Sequence, residues 1–187
     1  MPALYIIAGP NGAGKTTAAK TLLPEVFHCD IFLNADEIAA QLNPLNVEAA
    51  ALQAGRIMLQ RIDECLQLQE SFCIETTLAT KSYLSLVTKA QLIGYEVILI
   101  FFYLPSAEMA KQRVALRVSN GGHNIPSAVI ERRYILGIRN LMKFINIADR
   151  WHVFENSVSP PEKIAEGEID GAVIILNFEL WEILKNT

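Results

Sequence analysis

Near the amino terminus the string Gly9-Pro10-Asn11-Gly12-Ala13-Gly14-Lys15-Thr16 has the spacing G-x-x-x-x-G-K-[ST]. Residues of these types at this spacing wrap an anion. Glycine permits positive φ and close backbone approach, so successive N–H groups converge on phosphate oxygens, and a helix starting at the lysine adds its partial positive charge. Lys15 supplies a point charge for the β- and γ-phosphates of a nucleoside triphosphate, and the Thr16 hydroxyl supplies a ligand for Mg²⁺. Gly9, Asn11, Gly12, Ala13 and Gly14 complete the predicted cradle. Such a loop binds nucleotide, but it does not separate a phosphoryl-transfer enzyme from a switch or a motor.

Acidic residues supply the next candidates. Asp36 follows an apolar run in Leu33-Asn34-Ala35-Asp36-Glu37, at a predicted strand end, where α/β sheets bind ligands. A carboxylate there can accept the proton of an attacking hydroxyl. Asn34 and Glu37 also have capping-box spacing, so a second reading makes Asp36 a first-turn acid that complements a helix dipole; the strand end favours the functional one. Glu75 ends another apolar run before Thr76-Thr77 and reads as a substrate or Mg²⁺ group, or as a cap partner.

Positive charge is concentrated between Ser106 and Lys143, in Lys111, Arg113, Arg117, Arg132, Arg133, Arg139 and Lys143. Arginines stabilise charge on a transferring phosphoryl group, and kinases often carry them on a segment that closes over the nucleotide. Arg113 and Arg117, four apart, share a helical face. Gly121-Gly122 offers a hinge, with His123, Asn124 and Pro126 in the turn. Residues 106–143 are therefore predicted to form a helical lid whose Arg113, Arg132 and Arg133 reach the nucleotide. Arg56 sits on an otherwise apolar helical stripe, reading as a substrate contact or as a snorkelling surface arginine.

These groups need elements to hold them. Runs rich in Ile, Val and Phe at Leu4 to Ala8, Ile31 to Asn34, Phe72 to Glu75, Glu96 to Tyr103 and Trp151 to Phe154 alternate with segments of helical period. Three of those segments are Thr16 to Leu23, stopped by Pro24, Val47 to Gln69, and Lys81 to Leu92. The alternation predicts one domain over residues 1–187, an α/β/α three-layer P-loop nucleoside-triphosphate hydrolase fold around a mainly parallel five-stranded sheet. From Pro160 on, a short helix, an extra strand Ala172 to Leu176 and a closing helix near Lys185 are expected, without chemistry.

Composition narrows the function classes. The 187 residues are 51% hydrophobic and 19% charged with a net charge of −4, which offers no basic surface for nucleic acid or an anionic membrane. The run Val97 to Leu104 is far shorter than a membrane span, and no leader pattern opens the chain, so a soluble cytoplasmic protein is expected. Cys29, Cys65 and Cys73 lack the number and spacing of a disulfide or zinc framework.

Several strings together resemble the zeta-toxin-like P-loop kinases: Gly9 to Thr17, Asn34-Ala35-Asp36, Ala54-Gly55-Arg56, Phe72 to Leu78, Gly94-Tyr95, Arg117 with Gly121-Gly122-His123, and Arg132-Arg133. The resemblance runs from the start of the chain to about Ser157. It implies transfer of the γ-phosphate of ATP to a hydroxyl of a nucleotide sugar, UDP-N-acetylglucosamine, with an antitoxin protein as partner. It implies Asp36 as the base, Lys15, Thr16 and Thr17 on the phosphates with Thr16 on Mg²⁺, Glu75 and Thr77 in the substrate pocket, and Arg117 on the transferred phosphate. The toxins' second lid arginine falls near Gly122-His123, so its role passes here to Arg132 or Arg133 or is unfilled. The longer helical tail of those toxins is not matched. A kinase for another metabolite or a nucleic-acid 5′ end, and a nucleotide-dependent switch or ATPase subunit, stay open as alternatives.

Overall fold

Strand β1 (Ala3–Ala8) is buried at every residue, as expected of a central parallel strand with apolar side chains on both faces. In the computed structural model, which describes residues 1–187, it pairs in parallel with β3 (Phe72–Thr76) on one side and β4 (Glu96–Tyr103) on the other. β2 (Ile31–Leu33) lies beyond β3, and β5 (Arg150–Glu155) beyond β4. All five run parallel, so the ends at Ala8, Leu33, Thr76, Tyr103 and Glu155 share one edge of the sheet.

The five-strand expectation is corrected to seven. Two antiparallel strands, β6 (Glu162–Glu168) and β7 (Val173–Ile175), extend the sheet past β5, giving the order β2-β3-β1-β4-β5-β6-β7. β6 replaces the short helix expected after Pro160. Its Ile164, Ala165 and Gly167 are buried, and a Cβ on Gly167 would stand 2.6 Å from the Trp151 ring. Trp151 in turn stacks on Trp181 of the closing helix α7 (Phe178–Lys185), ring centroids 5.3 Å apart.

Helices cover both faces and make the three layers. On one face α2 (Ala35–Leu42), α3 (Val47–Leu68), α4 (Ser82–Leu92) and most of α6 (Ser127–Ile145) bury Ile38, Met58, Ile62, Val87, Leu141 and Phe144 against the sheet. On the other, α1 (Lys15–Leu22) and α5 (Ala107–Ser119) bury Ala19, Ala110 and Val114. Helix α1 ends at Leu22, within a residue of the stop expected before Pro24. The chain continues as a π-helical turn, Leu23–Phe27, with the proline in its first positions, where a missing N–H costs no hydrogen bond, and His28 at φ 49° closes it. No helix is long and apolar enough to cross a membrane. The three cysteines are free and buried.

One packing detail shapes the edge where the parallel strands end. The loop after β3 turns at Leu78, fully buried with φ 55°, and α6 grips it from behind: Asn140 Nδ2 donates to Leu78 O at 2.8 Å. A Cβ on Gly137 of α6 would lie 2.3 Å from Thr77 O. A mid-helix Gly→Ala change ordinarily stabilises by about 1 kcal/mol. Here Gly137→Ala is expected to lower stability by about 1–2 kcal/mol, because overpacking against a backbone carbonyl exceeds the propensity gain. Urea denaturation of the variant checks the sign.

Candidate active site

The phosphate loop folds as its glycines require. Gly9, Gly12 and Gly14 have φ of 142°, 77° and 78°. A side chain at Gly9 would meet Phe102 O at 2.2 Å, so the loop lies flush on β4. Lys15 starts α1 and is buried; its Nζ donates to Pro10 O at 2.9 Å and lies 3.6 Å from Glu75 Oε1. Burial holds the Lys15 amine below its usual pKa, with Glu75 opposing that shift.

Glu75 organises the polar centre. Its carboxylate accepts from Thr16 Oγ1 at 2.7 Å and from Asn34 Nδ2 at 2.9 Å, besides facing Lys15. Asn34 is buried and faces two ways: its Oδ1 caps α2 by accepting from the N–H groups of Asp36 (2.8 Å) and Glu37 (3.4 Å). Asp36 thus stands in the first turn of α2 with its backbone fixed and its side chain exposed.

Two chambers meet at this centre. One, of about 410 Å³, runs over the phosphate loop and is lined by Gly12, Gly14, Thr16, Thr17, Arg113, Arg117 and His123. The other, of about 460 Å³, extends past Thr76, Thr77, Thr80 and Tyr83 to Arg132, Arg133 and Leu136. Asn11, Lys15, Asn34, Asp36 and Glu75 line both. The Asn11 Oδ1 is buried there with no protein hydrogen bond.

The predicted arginines separate. Arg113 and Arg117 lie on the phosphate-loop chamber, Arg132 and Arg133 on the other. Arg113 is engaged with backbone, donating through Nη1 to Asn156 O (2.6 Å) and Nη2 to Ser157 O (3.0 Å). Arg117 Nη2 donates to His123 O at 2.8 Å across the Gly121-Gly122 turn. Arg56 is exposed on α3 and lines neither chamber. Gly9 and Ala13 are buried residues of the loop, and Ala13 packs into the core on that side of the sheet. No group of three or more His, Cys, Asp or Glu is arranged to hold a metal by itself.

Two residues escaped the sequence reading. Asn34 was visible only as a cap, though its position at a parallel strand end was a signal for the site as well. Asn156, just past β5, gave the same signal; its Nδ2 donates to Ala13 O of the phosphate loop at 2.7 Å.

An uncharacterized protein of Haemophilus influenzae is 30% identical to this chain over 126 residues, 67% of this chain and 88% of that one. The fold is similar to that of the AvrRxo1-ORF1:AvrRxo1-ORF2 complex with ATP, at TM-score 0.75 and 20% identity, covering 98% of this chain and 63% of that chain. The present chain therefore spans less than two thirds of that relative's length. It is also similar to the PezAT toxin-antitoxin system of Streptococcus pneumoniae (TM-score 0.65, 17% identity, 100% of this chain and 85% of that chain). A shikimate kinase of Acinetobacter baumannii in complex with shikimate matches more distantly (TM-score 0.52, 17% identity, 85% and 86%). At these identities the likenesses establish the fold, a P-loop fold shared with kinases. The family pattern described as AAA domain matches residues 4–133, which include the phosphate loop, Asp36, Glu75 and the four chamber arginines, so the chain belongs to the AAA domain family.

Proposed function

We propose that the protein is an ATP-dependent phosphotransferase that moves the γ-phosphate of ATP onto a hydroxyl of a small molecule. The observation that carries this reading is the shared wall: a phosphate-binding chamber and a second polar chamber meet at Lys15, Asp36 and Glu75. A switch protein needs the first chamber only.

In this reading ATP lies along the loop, its phosphates held by backbone N–H groups from Gly12 to Thr16 and by Lys15. The acceptor hydroxyl enters from the second chamber beside Asp36. Its oxygen attacks the γ-phosphorus, Asp36 takes its proton, and ADP leaves. Arg117 faces the phosphates from the far wall and stabilises their charge. Thr16 Oγ1 and Glu75 Oε2, 2.7 Å apart, are the hard oxygen donors that suit Mg²⁺ together with phosphate and water oxygens. Bound there, the ion would neutralise charge on the β- and γ-phosphates.

The acceptor is proposed to be a nucleotide sugar of the UDP-N-acetylglucosamine type. The volume and hydroxyl-rich lining of the second chamber support a sugar; Arg132 and Arg133 support a diphosphate. An antitoxin protein is the proposed partner, supported by the likeness to the PezAT system. Incubation with γ-labelled ATP and a panel of nucleotide sugars, followed by chromatography, tests the assignment. Label in a sugar product with matching ADP is expected; label in inorganic phosphate alone would overturn it.

The lid is proposed to be smaller than residues 106–143, since α5 and α6 bury Val114, Ile130, Ile138 and Leu141 in the core. The closing part is the exposed turn between them. Hydrogen exchange from Arg117 to Ile125 is expected to slow with a non-hydrolysable ATP analogue and Mg²⁺, while amides from Ile138 to Phe144 stay protected throughout. Equal exchange with and without nucleotide would make the turn a fixed connection.

A further inference from the structure

We propose that Asn156 and Arg113 form a latch that sets the phosphate loop for nucleotide, Asn156 as a positioning residue acting on the Ala13–Gly14 peptide and Arg113 acting through Asn156. The proposal rests on the ATP-binding reading above and concerns residues behind the loop rather than on it.

The geometry begins with one peptide plane. Asn156 Nδ2 donates to Ala13 O at 2.7 Å. In a trans peptide the carbonyl and the following N–H point in opposite directions, so fixing Ala13 O on the Asn156 side turns Gly14 N–H the other way, toward the chamber that Gly14 lines. That N–H belongs to the set that faces an anion. Asn156 itself lines neither chamber. The contact is also steric. A Cβ on Gly14 would stand 2.7 Å from Asn156 Nδ2, so the glycine at this position makes room for the amide as well as adopting φ 78°.

The amide is held in turn. Asn156 N donates to Tyr103 O at 3.0 Å, tying the residue to the end of β4. The Arg113 guanidinium spends two donors on consecutive carbonyls, Asn156 O at 2.6 Å and Ser157 O at 3.0 Å. A planar fork on two carbonyls fixes the direction of that backbone better than a single contact would. Arg113 comes from α5, whose Ala110 O and Arg113 Cβ would each lie 3.0 Å from a Cβ on Gly12. The loop is thus bracketed by α5 on one side and the β5 end on the other. Arg113 is on the phosphate-loop chamber, as a nucleotide contact would be, but two of its five donors hold the wall.

Calorimetric titration of ATP with Mg²⁺ into the whole protein, with melting temperatures in parallel, tests the latch on Asn156→Ala, Arg113→Ala, Arg113→Lys and the double alanine variant. Asn156→Ala is expected to weaken ATP binding about tenfold, the scale of one hydrogen bond, with the protein still folded. Arg113→Ala should weaken it by less, Arg113→Lys should restore part of that loss, and the double variant should bind no worse than Asn156→Ala alone. That non-additivity is the signature of one residue acting through the other, and a general loss of stability would not produce it. Unchanged ATP affinity in a folded Asn156→Ala, beside a wild type that binds, overturns the latch and leaves the nucleotide reading intact. Additive losses overturn the role given to Arg113, showing that it touches nucleotide directly. A wild type that binds no ATP overturns the nucleotide reading and the latch with it. Should Asn156→Ala not fold, Asn156→Asp gives the same test, since a carboxylate keeps the size but cannot donate to Ala13 O.

Discussion

Lys15→Ala is expected to abolish measurable phosphoryl transfer and to weaken ATP binding, in a protein that still folds. The side chain is buried and its charge is the one cation inside the loop, where low dielectric makes a point charge aimed at phosphates strong. Its removal does not orphan Glu75, which keeps Thr16 at 2.7 Å and Asn34 at 2.9 Å, so the carboxylate remains hydrogen-bonded. A second signature accompanies the loss. Burial depresses the pKa of Lys15 below 10.5, and bound phosphates oppose that shift, so ATP binding takes up a proton once pH exceeds the depressed value. Affinity in the wild type therefore falls as pH rises through that value, and the slope vanishes in Lys15→Ala. Calorimetry in buffers of different ionisation enthalpy reads the proton directly. Full turnover in the variant would remove the phosphate loop from the mechanism.

The second large effect concerns Asp36→Asn, which keeps the size and the hydrogen-bonding shape of the side chain but cannot take a proton at neutral pH. A fall in kcat of about 10²-fold or more is expected, with ATP affinity nearly kept, since positioned proton transfer contributes about that much. The competing explanation is a first-turn acid favoured by the dipole of α2, and it predicts a loss of only about 0.3–1 kcal/mol of stability with kcat unchanged. Geometry gives that explanation some footing: the Asp36 N–H is capped by Asn34 Oδ1, and Glu37 lies in the same turn. Measuring kcat, the ATP dissociation constant and the melting temperature on one variant separates the two. Normal kcat would leave the nucleotide site standing without its base.

The central part of the molecule was legible because its signals are local. Phe72 to Glu75 and Glu96 to Tyr103 are apolar runs buried on both faces, and the structure has strands there within a residue. At the sheet edge β7 was legible, as the extra strand Ala172 to Leu176, but β6 was not. β6 reads Glu-Lys-Ile-Ala-Glu-Gly-Glu, and its strand character rests on a cross-strand fit, the Trp151 ring over Gly167, that no window of sequence contains. Pro24 marked the end of α1 within a residue but not the π-helical turn that follows, since a proline in the first positions of a turn breaks nothing. In the site, types and strand ends located Lys15, Asp36 and Glu75 on one wall. Spacing also placed Arg113 and Arg117 on one helical face, yet four-residue periodicity carries no information on whether a guanidinium meets phosphates or, as at Arg113, two carbonyls more than forty positions away. Asn156 was hidden for the same reason, its partner Ala13 being 143 positions distant.

Glu75 carries one more consequence, which belongs to kinetics. A single carboxylate engages Lys15, Thr16 and Asn34, three groups on two segments, the start of α1 and the end of β2. Phosphates that draw on Lys15 compete with it and would free its Oε1 for the acceptor, while Oε2 stays with Asn34 and Thr16. On the proposed reading the two substrates then do not add at random. ATP leads, and the acceptor meets a carboxylate that the nucleotide has released, so the affinities of the two are coupled and, by linkage, each strengthens the other equally.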